Sequence, residues 1–114
     1  MRYALLIYER PGPYENLSDD EREAVHGEYF AISAEPRVVG GAQLEPIEAA
    51  TTVRVDGGQT LTTDGPFADT KEILGGFFLV EADDIDAALE LAGRIPAARL
   101  GGSVEVRPIV EQPS

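Results

Sequence analysis

The chain contains no cysteine. That excludes disulfides, thiolate nucleophiles and cysteine-based metal centres, and it fits a reducing cytoplasm. Basic charge is also scarce. Nine Lys and Arg stand against twenty-one Asp and Glu, for a formal net charge of -12. A surface of that sign repels a phosphate backbone and an anionic membrane alike, so direct binding to nucleic acid or membrane is not expected. Long hydrophobic runs are missing too. The apolar stretch at Tyr3–Tyr8 is too short for a membrane span or a signal segment and reads as a first strand. The paired glycines at 40–41, 57–58, 75–76 and 101–102 lack phosphate-loop or dinucleotide spacing, so they read as turns, bulges or close contacts and imply no nucleotide cofactor. Ser18, Ser33 and Ser103 have no nucleophile-elbow context. His26 and Glu28 are two apart on a helix and diverge, so no metal pair is expected.

What is present fits one domain over residues 1–114, a length that buries a single core. Tyr3–Tyr8 is apolar at nearly every position and is followed by Pro11-Gly12-Pro13, the pattern of a strand buried on both faces. Ser18 and Glu21 have capping-box spacing, which starts a helix running to about Glu35 with an apolar stripe of Val25, Tyr29 and Ile32. His26 lies at the edge of that stripe. An extended segment covers Val38 to Leu44. Thr51–Val55 and Gln59–Thr63 flank Asp56-Gly57-Gly58, whose positive-φ turn chemistry predicts a hairpin. Leu74–Ala82 is a second strand apolar on both faces, and Asp83 or Asp84 caps a second helix carrying Ile85, Ala88, Leu89, Ala92 and Ile95 until Pro96 stops it. Val104–Arg107 is the last strand and Glu111–Ser114 a frayed tail.

This order gives an α+β fold, a ferredoxin-like split βαβ pattern with an inserted hairpin. Two helices cover one face of such a sheet. The other face needs a cover, and in a chain this short a second copy related by a two-fold axis supplies it, which predicts a homodimer.

The densest stretch is Thr63–Glu72, where a carboxylate, a Gly-Pro turn, an anchoring aromatic and the single lysine lie between two strands. Asp64-Gly65-Pro66-Phe67 resembles the signature of the DGPF-domain proteins, a branch of the YCII-like superfamily of small α+β proteins. Thr62-Thr63, Lys71-Glu72, Gly75-Gly76-Phe77 and Ser103–Ile109 fit the same family. The resemblance implies a dimeric α+β barrel. It also implies a cleft in which a histidine of the first helix, here His26, pairs with the signature aspartate, here Asp64, for metal-free proton transfer such as elimination or isomerisation on a small organic molecule. Dehydrohalogenation of chlorinated hydroxyquinols is one precedent among characterised members. A non-catalytic module linked to extracytoplasmic-function sigma factors is the alternative implied, and a purely structural dimer needs no pocket.

The residues themselves leave both readings open. His26, the only histidine, belongs to the side-chain type that titrates near neutrality. It is either an acid/base group or a half-exposed helix residue. Asp64 orients the imidazole or merely closes a turn. Gly65 and Pro66 shape that turn, and Phe67 anchors it. Lys71 and Glu72 form a surface pair or place charges at a pocket mouth. Arg107, sharing a strand face with Glu105, meets an anionic ligand or the partner subunit, or forms an interstrand ion pair.

Overall fold

A computed structural model describes residues 1–10, 16–64 and 72–111. Its core is a four-stranded antiparallel sheet of β1 (Arg2–Glu9), β2 (Val38–Gln43), β5 (Ile73–Glu81) and β6 (Ser103–Pro108), in the order β2-β5-β1-β6. Helices α1 (Asp19–Ser33) and α2 (Ile85–Gly93) connect its strands, and β3 (Thr51–Asp56) with β4 (Gln59–Asp64) forms a separate two-stranded hairpin. This is the expected split βαβ fold with its insertion.

Alternation along β1 shows how the layers are built. Tyr3, Leu5 and Ile7 are buried with Ile32 of α1 and Ala88, Leu91 and Ala92 of α2 in one apolar cluster. Ala4, Leu6 and Tyr8, pointing the other way, are only half-buried. Each fully buried leucine contributes about 1.5–3 kcal/mol through loss of apolar surface to water, so the helix-covered side carries the stability. Across the sheet, β1 pairs Ala4 with Leu79 and Leu6 with Phe77 on β5, and pairs the same two residues with Arg107 and Glu105 on β6. The face without helices is therefore an apolar stripe beside a charged edge strand. Neither Glu105 nor Arg107 makes an ion pair with a described residue of its own chain.

Local signals set most element ends. Ser18 Oγ accepts from the Glu21 backbone N–H at 3.1 Å while the Glu21 carboxylate accepts from the Ser18 N–H at 3.5 Å, completing the capping box. Asp84 caps α2 by accepting from the Ala87 N–H at 2.9 Å. Helix α1 stops at Ser33, short of Glu35. Helix α2 departs further from expectation. It ends at Gly93, and Ile95 is buried outside it, leading into a 3₁₀ turn at Pro96–Ala98. The buried face of α2 centres on Leu91, fully enclosed, whereas Leu89 is 50% exposed and Ile85 is also exposed. Another 3₁₀ turn, Ile47–Ala49, precedes the hairpin. Glu28 of α1 and Arg99 form an exposed ion pair, worth at most about 1 kcal/mol.

The hairpin turns at Gly57 and Gly58, with φ of 57° and 80°. Two consecutive positive φ values make the primed turn whose twist matches antiparallel strands. This arm makes at most sparse contact with the rest of the described chain. The radius of gyration, 16.1 Å, accordingly exceeds the roughly 13 Å expected for a compact chain of this length.

Candidate functional site

Helix α1 is anchored to the sheet by Val25 and Ile32, both buried. Arg22, His26, Tyr29 and Ser33 follow one another at spacings of four, three and four residues, so they share a neighbouring stripe of the same helix. That stripe forms one wall of a cleft of about 870 Å³. The opposite wall is the end of the sheet where β2 finishes, β5 begins and β1 finishes: Gly41–Gln43, Gly75–Phe78, Ile7 and Glu9. The volume lies within the range of small-molecule sites.

The glycines of this sheet end have a steric reason. The β1–β5 register shifts between Ile7 and Tyr8, leaving Gly75 unpaired between Gly76 and Leu74. A Cβ at Gly75 would lie 2.9 Å from Oε2 of Glu9. The missing side chain leaves room for that carboxylate over the strand. The cleft therefore holds a carboxylate, a guanidinium and an imidazole from Glu9, Arg22 and His26, among the aromatic residues Tyr29, Phe30 and Phe78. His26 is exposed and makes no hydrogen bond or ion pair with a described residue.

The residues expected to form the site are thus distributed. His26 lines the cleft. Asp64 is the last residue of β4, exposed, opposite Thr51, and is not among the residues that line the cleft. Glu72 accepts a hydrogen bond from Ser103 Oγ at 3.1 Å and lies 3.9 Å from Arg10 Nε. Arg107 is exposed on the uncovered sheet face. Lys71 and Gly65-Pro66-Phe67 lie outside the described residues. Sequence reading missed Glu9, Arg22 and Ser33. Arg22 and Ser33 were detectable, because both fall on the helical face of His26; Glu9 was not, because its place in the cleft depends on the bulge at Gly75.

A smaller hollow of about 340 Å³ lies between the chain leading to the arm and the start of β5, lined by Leu44, Pro46, Ile47, Ile73 and Leu74, with Glu45 its only charged residue. No histidine lines it. Among the described residues no group of three or more His, Asp or Glu side chains is placed to hold a metal ion, and no helix is long and apolar enough to cross a membrane.

Comparison with known proteins accords with this architecture. The structure is similar to that of 5-chloro-2-hydroxyhydroquinone dehydrochlorinase (TftG) from Burkholderia phenoliruptrix AC1100 in complex with 2,5-dihydroxybenzoquinone, with a TM-score of 0.54 over 98% of this chain and 96% of that one. At 18% identity this likeness speaks for the fold. An uncharacterised protein of Rhizobium meliloti (strain 1021), R00369, is 38% identical over 114 aligned positions, covering 96% of this chain and 92% of the relative. The model of the YCII-related domain matches residues 1–112, and the chain belongs to that family.

Proposed function

We propose that the cleft between α1 and the β2–β5 end of the sheet binds a small aromatic or carbonyl compound, and that His26 is its proton-transfer group. One observation carries this reading: the only imidazole of the chain opens into the larger of two concavities among the described residues, between charges of both signs and beside the aromatic residues Tyr29, Phe30 and Phe78. Flat aromatic walls suit a planar ring, and Arg22 suits an anionic oxygen on it. In this reading neutral His26 removes a proton from the substrate. The electron pair left behind forms a π bond, and a leaving group departs with its own bonding pair, as in elimination of hydrogen halide; isomerisation instead returns the proton to another atom. Asp64 accepts the second ring N–H and stabilises the imidazolium. Lys71, Glu72 and Arg107 then serve at the mouth or rim. The chain works as a cytoplasmic homodimer. The dehydrochlorinase with the similar fold offers the substrate class to try first, chlorinated hydroxyquinols.

The test is turnover of chlorinated hydroxyquinols and activated carbonyl compounds by wild type and by His26→Gln, which retains hydrogen bonding but cannot titrate. The expected loss in kcat is about 10²-fold or more with little change in affinity. Equal turnover by the variant would overturn the assignment. A second reading keeps the cleft but not the chemistry, and makes the protein a ligand-sensing module linked to sigma factors. It is favoured by His26 having no hydrogen-bond partner among the described residues to orient it. Saturable binding without His26-dependent turnover would select it.

A further inference from the structure

We propose that the β3–β4 arm docks on a second copy of this chain, laying its Val53–Val55 face against the uncovered side of that copy's sheet. This rests on the homodimer of the reading above and names the element that clasps the partner.

A two-stranded hairpin on its own is at best marginally stable in water. This one packs closely against no other described element, and Val53 and Val55 are 58% and 70% exposed. Register determines which side can be dried. Opposed residues share a face, so Thr51, Val53 and Val55 of β3 and Thr60, Thr62 and Asp64 of β4 lie together. Five of the six are β-branched with a methyl group, and the only charge is Asp64 at the root. The reverse side carries Arg54 opposite Leu61. The Val53–Val55 side is the one that loses little by leaving water.

The occupant is argued from charge and area. Two copies carrying -12 each repel one another except where acid is missing. The arm face and the central stripe of Leu6, Phe77 and Leu79 are such places. At the stripe's border stand Glu105 and Arg107, without ion-pair partners among the described residues of their own chain and opposite in sign. A two-fold axis can set each against the other's counterpart. At strand spacings of about 4.8 Å and rises of about 3.3 Å, the four-stranded face measures on the order of 500 Å². That falls short of the roughly 800 Å² each partner contributes to a standard interface. The arm, six residues long on each strand, adds on the order of 200 Å². Reciprocal docking brings the contact close to what a stable dimer requires.

The chain's lack of cysteine makes the test clean. A nitroxide is attached to Val55→Cys in chains without isotope label, and these are exchanged with ¹⁵N-labelled wild-type chains. The expected result is selective broadening of β1 and β5 amides around Leu6, Phe77 and Leu79 in the untagged chains. Thr60→Cys, across the hairpin from Val55, should give the same pattern should the first tag perturb the fold. Broadening confined to the tagged chain's own amides, seen when ¹⁵N-labelled tagged chains are diluted into unlabelled wild type, would overturn the proposal. So would light scattering at the single-chain mass of 12.2 kDa, or broadening of partner residues other than the uncovered face. Ligand binding and His26-dependent turnover are read separately, so the failure of either reading is distinguishable from failure of the other.

Discussion

Gly75 and Gly76 are adjacent, yet alanine at the two positions should have opposite consequences. At Gly76 an added Cβ would meet the backbone carbonyl oxygen of Ala42 at 2.8 Å. Neither strand can yield there without disturbing the β2–β5 ladder, so Gly76→Ala should cost about 1–3 kcal/mol as an overpacked site. At about 2.1 cal/mol/K per residue, the unfolding entropy of this chain is roughly 0.24 kcal/mol/K. The expected fall in Tm is then about 4–12 °C. At Gly75 the obstacle is the carboxylate of Glu9, with Oε2 at 2.9 Å and Cδ at 3.0 Å. A terminal carboxylate can retreat the half ångström or so that van der Waals contact demands. Reduced freedom of the unfolded chain offsets part of the strain, by about 0.4–1 kcal/mol. Gly75→Ala should thus change Tm by less than about 4 °C while displacing Glu9 within the cleft. Circular dichroism melts at a fixed protein concentration measure the first effect, and NMR of the His26 ring reports the second. Equal destabilisation by the two variants would refute the argument that Glu9 can move, and a Gly76→Ala variant with wild-type Tm would refute the close approach of β2 to β5.

Leu91→Ala should destabilise by about 2–5 kcal/mol and Leu89→Ala by no more than about 0.5 kcal/mol, checked by urea denaturation; the reverse order would restore the originally expected face of α2. Ser18→Ala should remove the capping box at a cost of about 0.5–2 kcal/mol, read in the same titration. Asp64→Asn should keep the fold by circular dichroism and weaken ligand affinity or turnover, because asparagine fits a turn but carries no charge. An unchanged affinity would make Asp64 a structural residue only.

How far the sequence disclosed this molecule varies with the physics of each element. The hairpin was legible because Asp56-Gly57-Gly58 permits few other backbone paths, and α1 because Ser18 and Glu21 cap each other locally. The phase of α2 was not. Its apolar residues at 85, 87, 88, 89, 91, 92 and 95 fit more than one stripe, alanines weigh little, and packing on the sheet selected Leu91. Bulges at Gly75 and Val39 depend on how strands meet rather than on either strand alone. The site followed the same division. His26 was conspicuous as the sole imidazole and does line the cleft, whereas Asp64 sits at the end of the arm and not in the cleft lining. Glu9 entered by a route only tertiary structure reveals.

The central claim, that the His26 cleft is the ligand site, is tested most directly by following the single imidazole and the backbone amides while 2,5-dihydroxybenzoquinone is added. The account predicts saturable shifts of the His26 ring together with amides of Arg22, Gly41–Gln43 and Gly75–Phe78, and their weakening on substituting Phe30→Ala, an exposed residue of the cleft wall, in a still-folded chain. Shifts confined to Leu44, Ile47 and Ile73 at the smaller hollow, or a His26 ring unmoved at saturation, would contradict it.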